Sequence, residues 1–147
     1  MVCLGNICRS PIAEGVLRHK VKHHGLDWVV ESAATESYHI GEPPHRFSQK
    51  VCMEHGIDIS HQRAREFTFG DFVAYDKIYA MATDVYREIE TIGGKWADMS
   101  KVDYFMNELN PGKNEDVPDP YYGKEDGFEV VYKMIDHTCD AIIKNYK

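Results

Sequence analysis

The amino-acid sequence predicts an α/β fold built around a parallel sheet. Short apolar segments alternate along the chain with longer segments of helical periodicity, which is typical of parallel βαβ units. The chain has no internal repeat and no low-complexity segment. Its 147 residues match the size of one domain, and we therefore predict a single domain over residues 1–147.

Composition and charge exclude several functional classes. Apolar residues make up 43% of the chain and charged residues 28%, as in ordinary globular proteins. The 17 Lys and Arg residues against 24 Asp and Glu residues give a net charge of -7, which argues against a nucleic-acid-binding protein. No apolar stretch reaches the length of a membrane span, and no signal-peptide pattern is present. We expect a cytoplasmic protein with no membrane partner and with its four cysteines reduced.

The strands are predicted from short apolar segments. They span residues 1–4, 28–30, 77–81 and 101–106. Ligands of open parallel sheets bind beyond the carboxyl ends of the strands. The first of these ends falls at Cys3, Leu4 and Gly5, which is where residues with unusual chemistry lie.

The helices are predicted from the spacing of apolar residues. They span residues 11–24, 45–55 and 83–93 and, after a loop over 110–123, the segment from about residue 125 onwards. Thr83 is expected to cap the third helix. The last helix carries a stripe of core residues at spacings of three and four, namely Phe128, Val131, Ile135, Thr138 and Ile142.

The segment that joins the first strand to the first helix reads CLGNICRSP. Gly5 and Asn6 tolerate a positive φ, so this loop can turn successive N–H groups towards one anion. Pro11 suits the first helical position and Ser10 the cap before it, and the helix N-terminus adds positive potential. Arg9 can close the cradle because its planar guanidinium matches two phosphate oxygens.

Cys3 lies at the bottom of this predicted phosphate cradle. The same positive field favours its thiolate, which is a nucleophile aimed at phosphorus. The Ser10 hydroxyl can donate to the sulfur. Each residue alone is compatible with an ordinary buried cysteine, turn or surface charge, whereas their order between a strand and a helix predicts phosphoryl-transfer chemistry.

Two motifs resemble those of the low-molecular-weight protein tyrosine phosphatase family. Residues 2–11 read VCLGNICRSP, similar to the phosphate-binding signature of that family, and residues 117–123 read VPDPYYG, similar to its general-acid loop. Residues 32–35 and 55–65 also fall in family order, so the resemblance covers nearly the whole chain. It implies a four-stranded parallel sheet flanked by helices on both faces, with a phosphate-binding loop after the first strand.

The resemblance also implies a reaction, the hydrolysis of phosphotyrosine in proteins or peptides, and of aryl phosphates, through a cysteinyl-phosphate intermediate. Cys3 would be the nucleophile, and Arg9 would bind the phosphoryl oxygens. Asp119 would protonate the leaving phenolate and then deprotonate the attacking water. Inorganic phosphate would be both product and inhibitor, and neither a metal nor an organic cofactor is expected.

The resemblance assigns roles to further positions. The phosphate-binding loop would comprise Leu4, Gly5, Asn6, Ile7, Cys8 and Arg9. A polar network that holds this loop would comprise Asn6, Ser10, Ser32 and His61. The slot for the aromatic ring would be lined by Leu4, Tyr38, Tyr121 and Tyr122.

Three alternative functions are open at this point. An arsenate reductase of the same fold needs a resolving thiol in a mobile segment, whereas Cys52 and Cys139 fall on predicted helices. A related phosphoarginine phosphatase carries a small β-branched polar residue at the position of Ile7, so Ile7 favours phosphotyrosine. The third alternative is a non-catalytic phosphate-binding module. The presence of Cys3, Arg9 and Asp119 together argues against it.

The sequence departs from the family in the loop after the third strand and at one wall of the slot. Residues 81–85 read MATDV, where the family often carries an Asp and an Asn, so the hydrogen bonds made there are expected to differ. Tyr38 stands where some relatives have a wider aromatic side chain. Asp116, which precedes the acid loop, is expected to be solvated.

The segment before Cys3 and the later Cys8 each give a further prediction. Only Met1 and Val2 precede Cys3, where the family has several more apolar residues. We expect either a start at an internal methionine or an unusually short first strand, with the α-amino group near the phosphate loop. Cys8 follows in the same loop, and we expect it to capture an oxidised Cys3 as a disulfide.

Overall fold

A computed structural model describes residues 1–147 and contains one parallel sheet of four strands in the order β2-β1-β3-β4. The strands are β1 (Val2–Cys3), β2 (Ala33–Ala34), β3 (Ile78–Ala80) and β4 (Val102–Tyr104). Every pairing between neighbouring strands is parallel. The α/β fold with a four-stranded parallel sheet is thereby confirmed.

Five α-helices connect and cover the strands. They are α1 (Arg9–His23), α2 (Arg46–Glu54), α3 (Asp71–Ala74), α4 (Thr83–Gly93) and α5 (Glu125–Tyr146). Short 3₁₀ helices, which the sequence did not predict, occur at Gly94–Trp96, Met99–Lys101 and Phe105–Glu108. None of these helices combines the length and the hydropathy that crossing a membrane requires.

The sheet separates two apolar cores because alternate strand residues point to opposite faces. Tyr79 packs into the larger core with α1, α2 and α5, whereas Ile78 and Ala80 pack into the smaller core with α4. The predicted placement of helices on both faces is therefore confirmed. All five residues of the predicted stripe on the last helix are buried, at 3% exposure or less.

Three predictions about strand positions and helix starts are wrong. The second strand lies at Ala33–Ala34 and not at residues 28–30, because the only β1 residues available for pairing are Val2 and Cys3. Helix α1 begins two residues earlier than predicted, with Cys8 as its N-cap, so Ser10 is not a cap. Ala82, and not Thr83, precedes the first turn of α4.

The first strand is as short as the sequence led us to expect. It contributes two residues to the ladder, Val2 opposite Ala33 and Cys3 opposite Ala34. The α-amino group of Met1 donates to the carbonyl of Glu31, at 2.9 Å, and not to a residue of the phosphate loop.

A pair of helical glycines tests how tightly the larger core is packed. A Cβ on Gly15 of α1 would lie 2.4 Å from Cγ2 of the buried Ile59, whereas a Cβ on Gly127 of α5 would meet no atom closer than 4.0 Å. Gly15→Ala should lower the free energy of unfolding by about 1–2 kcal/mol, because overpacking outweighs the gain in helix propensity. Gly127→Ala should raise it by about 0.5–1 kcal/mol. Urea unfolding of both variants measures these changes, and a stabilising Gly15→Ala would show that the contact relaxes freely.

Candidate active site

The loop after β1 forms the floor of the site. It runs from Leu4 to Cys8 and enters α1 at Arg9. Asn6 has a φ of 57°, in the left-handed region that asparagine tolerates better than most residues. Gly5 lies against His39, whose Cδ2 would be 2.9 Å from a Cβ at this position, so only glycine permits this close approach.

Hydrogen bonds occupy the carbonyls at the two ends of the loop and leave its N–H groups free. The carbonyls of Cys3 and Leu4 accept from the N–H groups of residues 35 and 36, at 3.1 and 2.9 Å. The carbonyl of Ile7 accepts from His45 N–H at 2.8 Å, and that of Cys8 accepts from the Ser48 hydroxyl at 3.3 Å. No backbone N–H group from residue 4 to residue 8 donates to another backbone group. A run of free donors of this kind is suited to bind an anion.

The Ser10 hydroxyl is oriented towards the sulfur of Cys3. Asn6 Nδ2 donates to Ser10 Oγ at 2.7 Å, so the serine oxygen already serves as an acceptor. Its own proton is therefore free to point at Cys3 Sγ, 3.0 Å away. Both Cys3 and Ser10 are buried, at 2% and 0% exposure. The arrangement gives a charged sulfur one hydrogen-bond donor within the chain.

Asn6 is the centre of the predicted polar network. Its Nδ2 also donates to Ser32 Oγ at 2.9 Å, and its Oδ1 accepts from the N–H of Arg65 at 3.1 Å. Ser32 in turn donates to Glu14 Oε1 at 2.7 Å. Ser10 and Ser32 are thus both hydrogen-bonded to Asn6, which joins the three predicted residues. Glu14 was missed, since a carboxylate in the middle of a helix carries no local signal of burial.

The predicted place of His61 in this network is wrong. Its side chain is exposed and takes no part in the hydrogen bonds around Asn6. The backbone of Arg65, four residues later, supplies the donor on that side of Asn6. Sequence order alone brought His61 to this region, and it does not determine which way the side chain points.

Arg9 connects the phosphate loop with the acid loop. The guanidinium is buried, at 3% exposure for the residue, and Nη1 donates to the carbonyl of Val117 at 3.1 Å. Nη2 lies 3.6 Å from Asp119 Oδ2, and the buried Nε has no hydrogen-bond partner in the chain. The edge formed by Nε and Nη2 therefore offers the two parallel donors that a phosphoryl group accepts.

Asp119 lies in the exposed loop before α5, opposite Arg9. Its Oδ1 accepts from the N–H of Tyr121 at 3.0 Å, which holds the carboxylate against its own turn. The preceding Val117 is fully buried, and its N–H donates to the carbonyl of Met81 at 2.8 Å. The structure thus brings Cys3, Arg9 and Asp119 together across more than 100 residues of sequence.

The predicted aromatic wall is present in part. The Tyr121 and Tyr122 rings are 4.9 Å apart at 81°, with exposures of 40% and 88%. Tyr38 is 70% exposed and makes no ring contact, so this side of the slot is open. Two histidines that the sequence analysis missed, His39 and His45, each lie 5.8 Å from the ring centre of Tyr121.

The other three cysteines are buried thiols with pKa values above the ordinary range. All four cysteines are free thiols and all are buried. Burial, together with the charge of Cys3, raises the pKa of Cys8 to about 12. Burial also raises the pKa of Cys52 to about 12. No cluster of three or more His, Cys, Asp or Glu side chains is arranged to hold a metal ion.

Comparison with known proteins places this geometry among solved relatives. The chain is similar to the arginine phosphatase from Drosophila, with a TM-score of 0.91 and 30% identity over 99% of this chain and 95% of that one. It is also similar to Vibrio vulnificus Wzb in complex with benzylphosphonate, with a TM-score of 0.87, 27% identity and coverage of 98% and 94%.

Sequence relatives agree with the structural comparison. The low molecular weight phosphotyrosine protein phosphatases of Gallus gallus and Homo sapiens are each 38% identical to the chain over 145 residues, which is 97% of this chain and 91% of theirs. The family model for low molecular weight phosphotyrosine protein phosphatase matches residues 1–147. The chain therefore belongs to the low molecular weight phosphotyrosine protein phosphatase family.

Proposed function

We propose that the protein hydrolyses phosphotyrosine in proteins or peptides through a cysteinyl-phosphate on Cys3. The observation that carries the proposal is the convergence of three groups at one loop. They are a buried sulfur with a serine donor, a run of free N–H groups, and Arg9 facing Asp119. Each supplies one requirement of phosphoryl transfer, namely a nucleophile, charge stabilisation and a proton donor.

In the first step the Cys3 thiolate attacks phosphorus. The S–P bond forms as the bond from phosphorus to the phenolic oxygen breaks, and the Asp119 carboxyl gives its proton to that oxygen. The loop N–H groups and the Nε–Nη2 edge of Arg9 stabilise charge on the equatorial oxygens. Ser10 donates to the sulfur whenever it is charged.

In the second step water attacks the cysteinyl-phosphate. The Asp119 carboxylate takes a proton from the water, the S–P bond breaks, and inorganic phosphate leaves with the Cys3 thiolate restored. Asp119 serves first as the acid and then as the base because the attacking water takes the place of the departing phenolic oxygen, so the proton moves in the opposite direction. Inorganic phosphate fits the same loop as the substrate phosphoryl group and is expected to inhibit competitively.

The surroundings of Tyr121 support an aromatic substrate. Tyr121 stands beside Asp119 and is flanked by His39 and His45, which leaves a slot with aromatic walls above the loop. Burial and the neighbouring Arg46 lower the pKa of His45, which favours the neutral imidazole on this side of Tyr121. The complex of Vibrio vulnificus Wzb with benzylphosphonate, an aryl-methyl phosphonate, is consistent with such a slot.

Hydrolysis of phosphoarginine is the second candidate, since the Drosophila arginine phosphatase is among the similar structures. Ile7, which is 7% exposed, occupies the loop position where the related phosphoarginine enzymes are expected to carry a polar residue. Turnover of a phosphoarginine peptide and of a matched phosphotyrosine peptide decides between the two substrates. An arsenate reductase is less favoured because Cys52 and Cys139 are fully buried on the helices α2 and α5.

The proposed roles of Cys3 as nucleophile and Asp119 as acid can be tested by substitution. Cys3→Ser should abolish turnover of phenyl phosphate while retaining binding of vanadate, because Arg9 and the loop N–H groups are unchanged. Asp119→Ala should lower kcat for phenyl phosphate by about 100-fold or more, and much less for 2,4-dinitrophenyl phosphate, whose phenolate leaves without a proton. Steady-state kinetics and isothermal titration measure these effects.

Asp126→Ala is the matched control for Asp119→Ala, because Asp126 is an exposed carboxylate in the first turn of α5 with no contact to Arg9. It should leave the kcat ratio of the two substrates unchanged. An equal loss for both substrates in Asp119→Ala would exclude Asp119 as the general acid. Residual turnover in Cys3→Ser equal to the wild type would exclude the cysteinyl-phosphate.

A separate prediction concerns oxidation, since we propose that Cys8 protects Cys3 from irreversible oxidation. Peroxide converts the Cys3 thiolate to a sulfenic acid, and the Cys8 thiol then forms an S–S bond to it with loss of water. Cys3 precedes and Cys8 ends the loop that turns at Asn6, and both thiols are buried. Cys8→Ser treated with peroxide should recover, on dithiothreitol addition, a smaller fraction of its own untreated activity than the wild type does. Equal fractions in the two proteins would reject the protective role.

A further inference from the structure

The acid loop is attached to the rest of the domain just before the catalytic aspartate. Both backbone groups of Val117 are hydrogen-bonded. Its N–H donates to the carbonyl of Met81, and its carbonyl accepts from Arg9. One residue earlier, Asp116 Oδ1 accepts two hydrogen bonds from Thr83, from the backbone N–H at 2.8 Å and from Oγ1 at 3.0 Å. Asp116 is exposed, as expected, and it is also bonded to Thr83.

Thr83 has a second partner that orients its hydroxyl. The Tyr104 hydroxyl, at the end of β4, donates to Thr83 Oγ1 at 3.2 Å. The Thr83 proton is thus directed to Asp116, and the three groups form one chain of hydrogen bonds from the sheet to the acid loop. Tyr104 is buried at 9% exposure, so the inner end of this chain is held by the core.

Asp116 also provides the N-terminal cap that α4 lacks. Ala82 occupies the N-cap position of α4 and has no side-chain oxygen to accept from the first turn. Asp116 supplies the missing acceptor from a segment 33 residues away, and its negative charge favours the helix N-terminus. In the loop after β3, the N–H and hydroxyl of Thr83 therefore bond to Asp116, a residue of the segment that leads into the acid loop.

We propose that Thr83 and Asp116 form a latch that positions Asp119 for proton transfer, a proposal that rests on the acid role of Asp119. Two residues separate Asp116 from Asp119, and Pro118 and Pro120 restrict the backbone on either side of the acid. Asp116 and the buried Val117 together fix where this stiff segment begins, and therefore where the Asp119 carboxylate can lie. Thr83 and Asp116 are positioning residues, since neither touches the reacting atoms.

The latch predicts a loss that depends on the leaving group. Thr83→Val keeps the branched shape and the backbone N–H but removes the hydroxyl, and Asp116→Ala removes the acceptor of both bonds. Each should lower kcat for phenyl phosphate by about tenfold, a fraction of the full contribution of a general acid, and change kcat for 2,4-dinitrophenyl phosphate by less than about twofold. Thr83→Ser, which retains the hydroxyl, should restore the phenyl phosphate rate.

Asp98→Ala is the matched control for the stability effect of the latch. Asp98 Oδ1 accepts from the N–H and the hydroxyl of Ser100 in a 3₁₀ helix, the same pattern of bonds at a place without contact to the acid loop. Thermal melts of Asp98→Ala and Asp116→Ala show whether each variant is folded. Only Asp116→Ala should alter the ratio of the two substrates' rates.

The outcomes separate the latch from the proposed function. If Asp119→Ala shows strong leaving-group dependence while Thr83→Val and Asp116→Ala show none, the latch is overturned and Asp119 remains the acid. An equal slowing of both substrates in the latch variants overturns it as well, because a purely structural role would act in this way. If Asp119→Ala itself shows no leaving-group dependence, the acid role falls and the latch falls with it.

Discussion

The site depends on one constraint, that the carbonyl groups of the phosphate loop must find partners outside the loop. A loop that offers its N–H groups to an anion cannot use them for internal hydrogen bonds, so its carbonyls would be buried without partners. The chain after β2 satisfies the carbonyls of Cys3 and Leu4, and the start of α2 satisfies those of Ile7 and Cys8. Two segments that are distant in sequence from the loop are thus required to keep the donors free.

The same constraint explains the polarity of the network around Asn6. A left-handed residue in the middle of the loop turns the chain, and its side chain then bonds to three separate elements. Because the amide nitrogen donates to both serines, each serine proton points away from Asn6, one to Cys3 and the other to Glu14. A glycine would allow the same φ but would leave the direction of the Ser10 proton undetermined.

Local patterns in the sequence were sufficient for the four longer helices and the loop, and insufficient for the short helices and for features that depend on distant partners. The stripe on α5 and the phosphate loop are encoded within a few turns of chain, and the structure contains both. The position of β2 depends on which β1 residues are available to pair, and the cap of α4 comes from Asp116 on another loop. Glu14 and His39 belong to the site only because the fold brings them to it. No spacing rule along the chain reveals such contacts.

The pairing of Arg9 with Asp119 links substrate binding to proton transfer. Arg9 Nη2 lies 3.6 Å from Asp119 Oδ2, so the two side chains attract each other. In the proposed reaction, a phosphoryl group on the loop engages Arg9 and thereby weakens this attraction. Because Val117 and Asp116 hold the loop from the other side, Asp119 can remain near the leaving oxygen after its attraction to Arg9 is weakened. The attachment at Asp116 therefore matters most when the substrate is bound, which is when a loop held by the Arg9 pair alone would be released.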